Sequence, residues 1–95
     1  MTRRIKLRPA AERDLDRLVD FVAQLDARAA DRREQWLRES LRRLARHPLM
    51  GRPGPNPGLR QMTFRYGKSS YLVRYLVASD AIIVTRIWHG KENRS

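Results

Sequence analysis

The chain has 95 residues and carries 21 Lys or Arg against 10 Asp or Glu, giving a net charge of +11 and a pI near 11.5. It contains no cysteine, which excludes disulfides, thiolate nucleophiles and Cys-based zinc sites. No stretch approaches the roughly 18 apolar residues of a bilayer span, and no signal-peptide pattern opens the chain, so a cytoplasmic protein is expected. Its length predicts one domain, residues 1–95. The charge predicts a polyanionic partner, either nucleic acid or an acidic protein. Residues 1–47 hold 13 basic against 8 acidic residues, while residues 48–95 hold 8 against 2. The cationic excess without internal partners therefore lies in the second half. Of the basic residues, 18 are Arg, a bias that genome composition can also produce.

Arg3 to Leu7 alternates basic and apolar residues and predicts a short strand. Pro9 then sits where a first helical residue tolerates proline, since its missing N–H would be unpaired anyway. From Ala10 to Leu25 the residues Leu15, Leu18, Val22 and Leu25 recur at helical spacing, supplemented by Val19 and Phe21. Glu12 and Asp14 lie near the start of this helix, where its dipole favours negative charge. Asp26 is the expected N-cap of a second helix, Ala27 to Arg46, with a buried stripe of Ala30, Trp36, Leu37, Leu41 and Leu44. Its exposed face offers Glu34–Arg38 and Glu39–Arg43 pairs at i,i+4. The short connection makes the two helices an antiparallel hairpin.

Residues 47–58 contain four of the five prolines and three of the five glycines, and read as a loop. Three strands follow. Leu59 to Arg65 carries Met62 and Phe64 on one face. Ser70 to Ala78 carries Tyr71, Val73, Tyr75 and Val77 on one face against Leu72, Arg74 and Leu76. Ala81 to Trp88 carries Ile83 and Ile87 against Ile82, Val84, Arg86 and Trp88. Turns at Gly67-Lys68 and Ser79-Asp80 join them into an antiparallel meander. The expected fold is α+β, in the order β-α-α-β-β-β, with the helical hairpin on one face of a twisted sheet. The other face, with Leu72 and Leu76, is then expected to stay partly exposed as a partner site.

The set of segments Pro9-Ala10-Ala11-Glu12-Arg13-Asp14-Leu15, Leu44-Ala45-Arg46-His47-Pro48-Leu49-Met50-Gly51-Arg52-Pro53, Gly58-Leu59-Arg60-Gln61, Tyr71-Leu72-Val73-Arg74-Tyr75 and Arg86-Ile87-Trp88-His89-Gly90 resembles the RelE/ParE superfamily of toxins from type II toxin–antitoxin modules, the ParE branch most closely. The resemblance spans nearly the whole chain and implies the same topology. It also implies a cognate antitoxin, typically a small protein with a DNA-binding N-terminus and an acidic, wrapping C-terminal segment. RelE-type members cleave mRNA on the ribosome, whereas ParE-type members poison DNA gyrase without hydrolytic chemistry.

If this chain were a nuclease, its candidate catalytic residues would be Arg60, Arg74, Arg86 and His89, because 2′-hydroxyl attack needs a base, an acid and cations at the phosphate. Ribonucleolytic relatives often place a tyrosine near the C-terminus; here Gly90 follows His89 and no tyrosine lies beyond Tyr75. The dense lysine cluster of RelE is also missing. A gyrase poison is therefore expected, the alternatives being a ribosome-dependent mRNA endonuclease or an inert relative that binds only its antitoxin. Candidate antitoxin- or target-binding residues are Arg60, Arg65, Leu72, Arg74, Leu76, Arg86, Trp88, His89, Lys91 and Arg94. Arg74 and Arg86 weigh most, since each interrupts an apolar strand and the only acids after residue 47 are Asp80 and Glu92. His89 reads more simply as a strand-end residue bonding to backbone, His47 as a helix C-terminal residue, and both tryptophans as core. The Gly-Pro loop lacks the Gly-Lys-Ser/Thr ending of a phosphate cradle. No cofactor and no metal are expected. Relatives commonly place Ser or Thr before the proline that opens the first helix; here Arg8 stands there, at a cost of about 1 kcal/mol.

Overall fold

The structure is a computed structural model and describes residues 2–92. In chain order it comprises β1 (Arg4–Leu7), α1 (Pro9–Ala23), α2 (Ala27–Arg46), β2 (Arg52–Pro53), β3 (Leu59–Tyr66), β4 (Ser69–Val77) and β5 (Ala81–His89). The expected order holds, with the two-residue β2 as an addition inside the Gly-Pro loop. One sheet results, ordered β1-β5-β4-β3-β2. β3, β4 and β5 form the antiparallel meander, and the helical hairpin carries the chain from β1 across so that β1 lies parallel to β5.

The helices start as their sequences dictate. Arg8 supplies no side-chain cap to α1, whereas the Asp26 carboxylate accepts from the N–H groups of Arg28 (2.9 Å) and Ala29 (3.3 Å) at the start of α2. Leu15 and Leu18 of α1 and Leu37, Leu41 and Leu44 of α2 meet Phe64, Tyr71, Val73, Tyr75, Ile82, Val84 and Ile87 of the sheet in one buried cluster. Each fully buried leucine stabilises the fold by about 2 kcal/mol.

Two helix expectations need correction. Phe21 and Leu25 are 66 % and 79 % exposed rather than packed. α1 ends at Ala23, so Leu25 falls in the turn, and Phe21 stands about 100° off the direction of Val22 around the helix axis. On α2 the Glu34–Arg38 pair forms (2.9 Å), but Glu39 pairs with Arg42 (3.0 Å) instead of Arg43. The Arg43 guanidinium lies 5.7 Å from the Phe64 ring centroid, a cation–π contact that draws it away.

The Gly-Pro loop is pinned to the sheet. The Tyr75 hydroxyl donates to the Pro48 carbonyl (2.8 Å) and accepts from the Gly51 N–H (2.9 Å). Arg60 donates through Nε and Nη2 to the Gly51 carbonyl at 3.0 and 2.6 Å. A Cβ at position 51 would sit 2.7 Å from the Gln61 carbonyl oxygen, so only glycine permits this approach. Tyr75 is fully buried, and Tyr75→Phe would strip the Gly51 N–H of its partner. The expected loss is about 2 kcal/mol in urea unfolding, with an unchanged m-value.

Candidate functional site

β5 is the strand on which the site is built, and it changes phase in its middle. Arg74 pairs with Arg86, but Tyr75 pairs with Val84, leaving Thr85 as an extra residue in a β-bulge. The bulge switches the faces. Ile82 and Val84 point to the helices before it, and Ile87 does so after it. The expected grouping of Ile83 with Ile87 against Ile82 and Val84 therefore fails, because strict alternation cannot cross a bulge. Arg86 and Trp88 are left on the face away from the helices, beside Arg74 and Leu72.

β1 covers β5 only as far as Val84, whose carbonyl accepts from the Arg8 N–H (3.0 Å). Beyond that point the strand has a bare edge, and side chains close it. Asp14, 2 % exposed, aims its carboxylate from α1 at this edge. Oδ2 accepts from the Ile87 N–H (2.8 Å) and from Arg86 Nε (2.7 Å), while Oδ1 accepts from Arg86 Nη2 (3.1 Å) and Arg17 Nη1 (2.6 Å). Arg17 also binds Glu92 at 3.0 Å, and Glu92 Oε1 accepts from the His89 N–H (2.8 Å). Burial alone would raise the Asp14 pKa. The hydrogen bonds from Arg86, Arg17 and the Ile87 N–H outweigh it and hold the carboxyl below its ordinary value. Glu92 is lowered too, chiefly by the Arg17 hydrogen bond.

This network corrects the expectation that Arg86 lacks an internal anion. Its partner lies 72 residues earlier in the chain, outside the half in which acids are scarce. Asp14 was legible in principle: it stands three residues after Ala11 and four before Leu18, on the buried stripe of α1, where an ionised side chain needs a partner.

The face away from the helices is also better covered than the sequence suggests. Leu72 is 7 % exposed and Trp88 5 %; Leu76 and Ile83 are half-buried. Trp88 lies opposite Leu72 on the neighbouring strand. The guanidinium carbons of Arg74 and Arg86 sit 4.7 and 4.8 Å from its ring centroid. Two long cationic side chains thus do the work of a missing layer, because their planar heads stack on the indole while remaining hydrated. The expected broad apolar patch is replaced by a Trp flanked by cations.

Beside it runs an open groove of about 290 Å³, lined by Arg52, Gln61, Thr63, Ser70, Leu72, Arg74 and Gly90. No acid lines it. Arg74 donates through Nε to Gln61 Oε1 (3.3 Å) and makes no ion pair among the described residues. The groove therefore suits an anionic group, a carboxylate or a phosphate.

The candidates named from sequence divide between the two faces. Arg65, Leu72, Arg74, Leu76, Arg86 and Trp88 share the face away from the helices. Arg60 does not join them, since it is committed to the Gly51 carbonyl beside Tyr75. His89 also lies on the helix side. Its ring meets that of Tyr71 edge-on at 5.2 Å, and Nδ1 accepts from the Lys91 N–H (3.1 Å). The side chain of Lys91 is exposed, and Arg94 lies outside the described residues. Sequence reasoning missed Arg52, Gln61, Thr63 and Ser70, which alternation places beside Arg74 only once β3 and β2 are in register.

The family model described as "ParE toxin of type II toxin-antitoxin system, parDE" matches residues 5–94. The chain belongs to the ParE toxin family. It is 36 % identical over 94 residues to Toxin RelE1 of Caulobacter vibrioides, covering 99 % of this chain and all of that protein. To Toxin RelE3 of the same organism it is 31 % identical over 90 residues, covering 95 % and 97 % of the two chains. Among solved structures, a chain of the chromosomal ParDE toxin–antitoxin system from P. aeruginosa matches with a TM-score of 0.72 and 25 % identity, over 90 % of this chain and 94 % of that one. The protein is thus a toxin of a type II toxin–antitoxin system, and membership in the ParE family implies a cognate antitoxin as partner. No helix among the described residues is long and apolar enough to cross a membrane.

Proposed function

We propose that this ParE-family toxin inhibits DNA gyrase by protein–protein contact through the face carrying Trp88, Arg74 and Arg86, and that its antitoxin neutralises it. The observation that carries this reading is the composition of the groove. Arg52 and Arg74 supply cations, Arg74 set over the buried Trp88 ring, and none of the lining side chains is placed to move a proton near neutral pH. RNA cleavage by a 2′-hydroxyl calls for a base and an acid within hydrogen-bond reach of the reacting atoms. The one imidazole near this end of the sheet, His89, packs on Tyr71 across the opposite face. Arginine at an exposed face is, by contrast, among the residues that dominate protein–protein affinity, and the Trp88 ring beneath holds Arg74 in place.

The names of the two Caulobacter relatives favour a second reading, a RelE-like ribosome-dependent mRNA endonuclease in which Arg74 and Arg86 would hold the phosphate. Purified toxin assayed in parallel on gyrase supercoiling and on ribosome-bound mRNA separates the two. Inhibited supercoiling with intact mRNA is expected.

Within the leading reading Arg74 and His89 have unequal roles. Arg74→Glu reverses the charge in the groove and is expected to weaken gyrase inhibition by about a hundredfold, in line with the 2–5 kcal/mol of a lost interfacial charge contact. His89→Ala is expected to leave it within a few-fold. Dose–response curves for the two variants check this, and equal tolerance of both would remove the role given to Arg74.

A further inference from the structure

A second surface stands apart from the groove. Leu49, just after the end of α2, is 70 % exposed although its backbone is fixed. The Leu49 carbonyl accepts from Arg60 Nη2 (3.3 Å), and the flanking Pro48 carbonyl and Gly51 N–H are held by the Tyr75 hydroxyl. An apolar side chain displayed on a rigid loop costs little further ordering on binding, the condition that favours an anchor.

Two open hollows, of about 670 and 440 Å³, flank Leu49 and share it and Val77 as walls. One is bounded by Met50, Arg3 and Arg46, the other by Pro53, Leu59 and Arg60. No acid lines either hollow. The charged side chains on the rim, Arg3, Arg46 and Arg60, are all cationic, and Arg3 is oriented by its bond to the Ala78 carbonyl (2.8 Å). An apolar ledge with such a rim fits an acidic segment bearing an apolar side chain; its charge disfavours a basic surface, and a nucleic acid has no apolar side chain to bury on it.

Position bears on which partner it takes. Pro53 walls one hollow and its neighbour Arg52 lines the groove on the sheet, so the two sites meet at β2. A segment seated on the ledge reaches the groove within a few residues and blocks it. We infer that the Leu49 ledge docks an acidic, apolar-anchored segment of the cognate antitoxin, which then runs across β2 onto the groove. The inference rests on the family's antitoxin and on the groove as the target-facing site.

The test is calorimetric titration of full-length cognate antitoxin into toxin variants, with thermal melts to confirm folding. Leu49→Asp is expected to weaken binding about tenfold or more, which is about 1.4 kcal/mol, and Leu49→Met to restore most of it. Arg46→Glu is expected to weaken binding several-fold and to flatten its salt dependence. Unchanged affinity in Leu49→Asp overturns the inference. Titration does not involve gyrase, so its outcome is independent of whether gyrase proves to be the target.

Discussion

Asp14→Ala should destabilise the protein by about 3–4 kcal/mol in urea unfolding. The estimate combines the about 3–5 kcal/mol typical of breaking a buried ion pair with the half-exposed position of its cations. Arg17 and Arg86 have side chains 42 % and 43 % exposed and regain water when the carboxylate is removed, so they do not carry the full penalty. The Ile87 N–H does, because it is buried and has no other acceptor at the bare edge of β5. For a chain of this size such a loss corresponds to a fall of about 12–32 °C in Tm. Asp14→Asn retains an acceptor for that N–H and should cost distinctly less. The pH dependence follows from the lowered pKa values of Asp14 and Glu92. With folded values below the unfolded ones, the unfolded chain binds more protons in the acid range. The contribution is therefore fully present above their ordinary values of 3.8 and 4.5 and is lost as pH falls through the lower folded values. Wild type should lose stability steeply below about pH 4, and Asp14→Ala should lose less over the same interval. A parallel pH profile for the two proteins would contradict the network.

Trp88→Ala carries the second large effect, about 3–5 kcal/mol. The indole is 5 % exposed although no helix covers it, so its burial comes from Leu72 across the strand pair and from the two guanidinium groups stacked on it. Removing it opens the apolar side of Leu72 to water and leaves Arg74 and Arg86 facing each other across paired positions with nothing between them. Like charges directly opposite on neighbouring strands are unfavourable. Trp88→Phe keeps a smaller aromatic face and should recover roughly half of the loss. Chemical denaturation of the three proteins checks the order. The same series is informative for function, because the proposed target face is lost with the indole and retained in part with phenylalanine.

The frame of the molecule was readable because its signals are local. The α2 stripe with its Asp26 cap, the alternation in β3 and β4, and the Gly67 turn each depend on residues within a few positions of one another. Gly67 adopts a φ of 58°, which is why that turn takes glycine. What escaped was set by distant partners. The bulge at Thr85 shifts the faces of β5, and its hydrogen-bonding deficit is met by Asp14 from the other end of the chain. The scarcity of acids after residue 47 was a poor guide to Arg86 for the same reason. Likewise, counting one helical layer against a sheet apolar on both faces overestimated the exposed surface, because the guanidinium groups of Arg74 and Arg86 sit over the Trp88 ring. Arg60 and His89 have the residue types of a phosphate site, but strand alternation turns them toward the helix side.

On the proposed reading the toxin acts by contact through the Arg74-bearing face and performs no proton transfer. A supercoiling assay with purified gyrase, run beside a ribosome-bound mRNA cleavage assay on wild type, Arg74→Glu and His89→Ala, tests this. Wild type and His89→Ala are expected to inhibit supercoiling, Arg74→Glu to do so only at about a hundredfold higher concentration, and mRNA to stay intact throughout. Unimpaired supercoiling together with mRNA cleavage that is lost in His89→Ala would contradict it.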